Sequence, residues 1–182
     1  MIADSLRNHL RVATSPLHVQ LDSSMSDFTN LAAYKDYVQK THRFRSAVEL
    51  ALKGGDDTGW EVDPIGHLTA LDLEDLGAEP LSQVGAPEWR WSRTARLGAL
   101  YVLEGSSLGA RLLLRRAAAI GMGVNHGARH LDHQSADHQR WRAFLVELEH
   151  IPADMHQEVL TAADDVFRFA LSVYGENAYE CA

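Results

Sequence analysis

His18 stands at the fringe of an apolar helical stripe, between Leu17 and Leu21. An imidazole in that place can be a hydrogen-bonded boundary residue or an axial ligand to a metal. As a ligand it must be neutral and needs a partner on its second ring nitrogen. Asp22, one turn on, offers that acceptor, directly or through water. Arg11 lies seven residues before His18. Seven residues are close to two helical turns, so Arg11 returns to nearly the same face about 10 Å along the axis. A second segment is unusual for the opposite reason, its lack of side chains. Gly105 and Gly109 fall on one helical face, with Ser106 and Ala110 beside them. Each glycine costs about 1 kcal/mol relative to alanine inside a helix. A kink or a close helix crossing would offset that cost; so would a flat ligand lying on bare backbone. Arg90, Arg93, Arg96, Arg111, Arg115 and Arg116 surround this segment, against Glu104 alone. A planar, dianionic, iron-centred ligand between the imidazole helix and the glycine helix satisfies both sets of residues together.

The elements that must hold these residues are helical. Leu6, Leu10, Ala13, Leu17 and Leu21 recur at spacings of four and three, as do Leu31, Tyr34, Val38, Thr41, Phe44, Val48 and Leu52. Asp27 or Thr29 can cap the second of these helices. Pro16 either starts a new helix capped by Thr14 or Ser15, or sits inside a continuous one. Gly54 to Gly59 reads as a loop. A short helix over His67 to Leu76 is stopped by Gly77 and Pro80. The glycine-containing helix runs from about Trp91 to Ile120 and ends near Gly121-Met122-Gly123. His126 to Asp137 reads as polar and irregular at its end, and helices fit Asp137 to Glu149 and Asp154 to Tyr174, separated by Ile151-Pro152. No repeat, low-complexity tract or alternating run asks for a sheet, so the expectation is an all-α, multi-helix fold with residues 1–182 forming a single domain.

Composition narrows the setting. With 182 residues, 46% hydrophobic and 23% charged, the chain has the make-up of an ordinary globular domain. Its net charge of −8 argues against general nucleic-acid or anionic-membrane binding. No signal sequence is visible, and no uninterrupted apolar run reads as a membrane span. The single cysteine, Cys181, excludes an internal disulfide and covalent haem attachment through two cysteines. A reducing cytoplasm is the expected compartment.

The segment Leu10-Arg11-Val12-Ala13-Thr14-Ser15-Pro16-Leu17-His18-Val19-Gln20-Leu21-Asp22 resembles the proximal segment of the biliverdin-producing haem oxygenases of bacteria. Tyr101-Val102-Leu103-Glu104-Gly105-Ser106-Ser107-Leu108-Gly109 is similar to their distal helix. Gly127-Ala128-Arg129-His130-Leu131, with Trp141 and Phe144 after it, looks like a bacterial subgroup. The resemblance spans most of the chain and is thinnest from Leu52 to Trp91.

That resemblance implies that His18 is the proximal ligand of a non-covalent haem b, which is both substrate and cofactor. Its iron is held from one side while the distal helix, bent at Gly105 and Gly109, lies over the other. Arg11 matches a basic contact to the propionates, Tyr101 falls where some bacterial members place a tyrosine near them, and Arg115 or Arg116 is a further candidate. The implied reaction uses dioxygen and electrons from a ferredoxin or a flavoprotein reductase to release biliverdin, carbon monoxide and ferrous iron. A biliverdin-using photoreceptor is one possible consumer of the product. The distal segment has no histidine or arginine between Val102 and Ala110. Ser106 occupies the position at which many members carry an aspartate that organises distal water, and Ala110 replaces the second glycine of a common pair. Arg11 and Tyr101 together resemble the partners of members that cut at the α position, which implies biliverdin IXα. Other chemistries fit less well. A di-iron site needs two Glu-x-x-His pairs, and Glu147 to His150 supplies one. His126, His130, His133 and His138 match no strong zinc spacing. Thiaminase-type relatives need an internal nucleophilic cysteine. A haem carrier or sensor on the same scaffold is the main alternative.

Overall fold

The computed structural model describes residues 5–24, 28–53, 58–83 and 85–175. Asp27, Cys181 and most of the Gly54–Gly59 loop lie outside the described residues. Seven α-helices carry the rest: α1 (Leu6–Ser24), α2 (Leu31–Leu52), α3 (Gly66–Leu76), α4 (Arg93–Ala119), α5 (Arg129–Ala136), α6 (Arg140–Leu148) and α7 (His156–Gly175). A 3₁₀ turn, Ala153–Met155, leads into α7. Among the described residues there is no strand, only isolated bridges between Gly123 and the turn at His126–Gly127.

α4 and α7 form the centre of the molecule, with α1 against α7 and α6 against α4. α7 buries Val159, Ala163, Val166, Phe167, Ala170 and Val173, an i, i+4, i+7 stripe. Full burial of a side chain such as Phe167 is worth about 1.5–3 kcal/mol. Where the two central helices cross, Gly98 replaces a side chain: a Cβ built there would lie 2.1 Å from the carbonyl oxygen of Val159. The backbones therefore touch, which only glycine allows. A second apolar cluster, with Tyr34, Val38, Leu73 and Leu131, joins α2, α3 and α5.

Among the described residues α4 alone has the length and mean hydropathy of a membrane span, and half of that stretch is buried inside the fold. Its apolar character follows from its central place in the bundle. Pro16 lies inside a continuous α1, and Thr14 does not cap a new helix; it is buried and its hydroxyl donates to the Leu10 carbonyl (2.8 Å). α2 is capped by Asn30, whose side chain accepts from Ala33 N–H (3.0 Å), rather than by Thr29. Gly77 ends α3 in the left-handed conformation, as its type predicts. The clearest departure from the sequence reading is the His126–Asp137 stretch, most of which is helix α5. A carboxylate from another element makes the difference. Asp72 of α3 accepts from the free backbone N–H groups of Arg129 (2.9 Å) and His130 (3.1 Å), which completes the first turn of α5.

Candidate functional site

A cleft of about 320 Å³ opens between α1, α2, α4 and α7. α1 contributes His18, Leu21 and Asp22; α4 contributes Val102, Gly105, Ser106, Leu108, Gly109 and Leu113. The imidazole and the glycine backbone predicted to face each other across a flat ligand thus line one space. His18 is braced edge-on by Phe167, with ring centroids 4.4 Å apart. Partial burial lowers its pKa, and the nearby Asp22 carboxylate opposes that shift. The ring is therefore held neutral near pH 7, the form that ligates a metal. On α4 a Cβ added at Gly109 would meet nothing within 4 Å, whereas one at Gly105 would sit 3.6 Å from the Trp141 ring. Gly109 therefore leaves bare backbone toward the cleft. The walls are largely apolar, as a tetrapyrrole face requires.

Ser106 is less available than its position suggests. Its hydroxyl donates to the Leu103 carbonyl (2.6 Å) and accepts from Gln134 Nε2 (3.0 Å). The serine proton is committed to the helix's own backbone.

The inner end of the cleft holds residues that the sequence did not single out: Tyr37, Thr41 and Arg45 of α2, and Tyr174 of α7. Thr41 Oγ1 donates to the Tyr37 carbonyl (2.8 Å) and lies 2.9 Å from the Tyr174 hydroxyl. Burial pushes the Tyr174 phenol up to about 12 and raises Tyr37 well above its ordinary value. Both stay protonated. Arg45 is buried and spends its donors on Glu49 (2.8 Å), the Asp63 carbonyl (3.1 Å) and the Leu103 carbonyl (3.5 Å). Glu49 in turn accepts from the N–H groups of Ile65 and Gly66 at the start of α3. Nothing in the sequence marks Arg45 out; the fold shows that it is enclosed.

Arg11, Tyr101, Arg115 and Arg116 do not line the cleft. Tyr101 is buried against Trp141 (5.4 Å between ring centroids). Its phenol is raised by burial, while a hydrogen bond with Thr14 and the charges of Arg7 and Arg11 pull the other way. Arg11 and Tyr101 are thus neighbours on the α1–α4 side, although Arg11 itself bonds Asn8 (3.1 Å). Arg115 is exposed near the end of α4 and Arg116 is half-buried. The Gly127–Leu131 motif serves the fold. Gly127 accepts from Tyr34 (2.6 Å), Arg129 pairs with Asp72 and Asp75, and His130 Nδ1 lies 2.7 Å from Asp72. His133 pairs instead with Asp63 (2.9 Å), so the histidines of this stretch have separate partners.

An all-α cleft that pairs one neutral imidazole with a glycine-backed helix is the arrangement a flat ligand with a central metal needs. Comparison with known proteins agrees. The family described as "Heme oxygenase" matches residues 81–176. The heme oxygenase PigA of Pseudomonas aeruginosa is 39% identical over 100 residues, 53% of this chain. The matched segment spans 50% of that protein's length. A heme oxygenase of Xanthomonas campestris is 30% identical over 120 residues, covering 64% of this chain and 72% of that protein. The NO- and CO-bound heme oxygenase of Neisseria meningitidis superposes with a TM-score of 0.78 at 26% identity, over 97% of this chain and 96% of that one. The chain belongs to the haem oxygenase family.

Proposed function

We propose that this protein oxidatively cleaves haem to biliverdin, carbon monoxide and ferrous iron, using dioxygen and electrons from an external ferredoxin or flavoprotein reductase. The observation that supports the reading is the cleft itself, whose lining includes both His18 and the Gly105–Gly109 segment. Bound haem would supply the iron that binds and reduces dioxygen, and its ring would be the carbon oxidised. The chain's part is positional. His18 would hold the iron, with Phe167 fixing its ring and Asp22 available to its second nitrogen. Gly109 would leave space over the ring that a larger side chain would fill, while Gly105 lets α4 pack against Trp141. With haem seated against them, the apolar walls would leave little room for bulk water. No imidazole or guanidinium stands on α4 between Val102 and Ala110 to drive competing oxygen cleavage. Arg11 and Tyr101, adjacent on one side of the molecule, support a seating with the propionates at that edge and hence biliverdin IXα; Arg115 and Arg116, near the other end of α4, are weaker candidates for a propionate contact. The single cysteine suits a cytoplasmic setting.

The carrier or sensor alternative is not favoured, because the relatives named above are heme oxygenases. The test is direct. Hemin is added to purified protein, then ascorbate or a ferredoxin–reductase couple under air. Loss of the Soret band with growth of a biliverdin absorbance is expected; a stable oxygenated spectrum would mean a carrier. Chromatography of the product should give mainly the IXα isomer.

A further inference from the structure

We infer that Gln134 is a positioning residue that passes water-borne protons into the haem cleft from a polar chamber behind α4. The inference rests on the oxygenase reading above and supplies what that reading lacks. The cleft has no proton donor of its own on the α4 side, because the Ser106 hydroxyl is spent on the Leu103 carbonyl (2.6 Å). Thr41 is likewise spent on the Tyr37 carbonyl, and the Tyr174 phenol is too weak an acid.

Gln134 borders three spaces at once: the haem cleft, a polar chamber of about 30 Å³, and an outer cavity of about 210 Å³ beside Arg111 and His138. A buried water needs about 10–15 Å³ and two to four polar partners. The chamber therefore has room for about two waters. Asp63, Glu104, His133, Asp137 and Arg140 line it, with Arg45 and Ile65 forming the rest of the partition toward the cleft. Arg45 is locked by its three partners, and Glu104 is held by Arg140 (2.9 Å) and Trp60 (2.9 Å). Gln134 is tied by its nitrogen to Ser106 (3.0 Å). An amide carries an acceptor as well as donors, so it can hold a water while its nitrogen holds Ser106. At the outer end the His133–Asp63 pair (2.9 Å) is partly open to solvent, 44% and 40% exposed.

The path runs from solvent, past His133 and Asp63, through chamber water, to a water held by Gln134 above Ser106. Each oxygen passes one proton inward and receives one from outside, so no residue changes charge over the cycle. Electrons arrive separately from the external one-electron donor.

Three variants test it: Gln134→Leu, Gln134→Glu and Asp63→Asn. Each is loaded with hemin, and the pH at which the ferric spectrum passes from its acid to its alkaline form is recorded beside the pH profile and solvent isotope effect of haem degradation. Gln134→Leu is expected to bind hemin stoichiometrically, to move the spectral transition by about half a pH unit or more, and to slow degradation roughly tenfold or more with a larger isotope effect. Gln134→Glu should restore part of the rate and add a new acidic limb. Asp63→Asn should move the same readouts in the same direction by less. If Gln134→Leu and Asp63→Asn both keep the wild-type transition and pH profile while degrading haem, the inference is overturned and the oxygenase reading stands. If Gln134→Leu does not fold, Asp63→Asn decides alone. Failure of the wild type to take up hemin would sink both.

Discussion

The proposed role of His18 as a ligand requires a neutral, fixed and reachable ring, and three features of its surroundings suit this. Partial burial lowers its pKa, Phe167 packs edge-on, and the cleft leaves one side open. Replacement by alanine should remove the axial bond, shift the Soret band and weaken hemin binding by roughly tenfold or more, about 1.4 kcal/mol. Free imidazole should restore the spectrum. A hemin titration with identical spectra for both proteins would exclude His18 as the ligand. His18 was legible in the sequence because a histidine at an apolar fringe, with Asp22 and Arg11 in register, is an odd choice that helical geometry makes readable. Tyr37, Thr41, Arg45 and Tyr174 were not legible. They sit at ordinary positions of two helices far apart in sequence, and only tertiary packing brings them to one end of the cleft. Gln134 was hidden for the same reason.

At the level of the helix, α4 carries glycines with opposite tasks. At Gly109 an added methyl meets nothing within 4 Å, so the glycine serves no packing among the described residues; at Gly98 it would lie 2.1 Å from the Val159 carbonyl oxygen. Gly109→Ala should therefore raise the stability of the haem-free protein by about 0.5–1 kcal/mol through helix propensity while weakening hemin binding and slowing degradation. Gly98→Ala should lower stability by about 1–3 kcal/mol or more through overpacking, with hemin affinity per folded molecule little changed. Urea denaturation and hemin titration on both variants check the contrast; equal destabilisation would remove the argument that Gly109 is kept for a ligand. The sequence flagged Gly105 and Gly109 by their spacing but passed over Gly98, whose neighbour Val159 is far along the chain on α7. It likewise passed over α5, because the groups that satisfy that helix's first turn come from α3.

Across the whole molecule, α5 is held beside the cleft by α4, through Gln134 and Ser106, and by its attachment to α3. Asp72, fully enclosed, receives Arg129 N–H, Arg129 Nη1, His130 N–H and His130 Nδ1. Burial alone would raise its pKa, but the hydrogen bonds from His130 and Arg129 together outweigh burial, so the carboxyl titrates below its ordinary value of 3.8. A carboxylate with a depressed folded pKa contributes stability that is complete above the unfolded value and is lost as pH falls through the folded one. Asp75 and Asp137, more open to solvent, are shifted the same way. Thermal unfolding should accordingly hold steady from neutral pH down to about pH 4 and fall below it. Asp72→Asn cannot titrate and leaves buried donors short of an acceptor. It should cost about 3–5 kcal/mol at neutral pH and flatten the acid limb. Because α5 carries Gln134, the variant should also degrade haem more slowly at temperatures where it remains folded. An unchanged acid limb in Asp72→Asn would show that the α3–α5 attachment does not govern the molecule's response to acid.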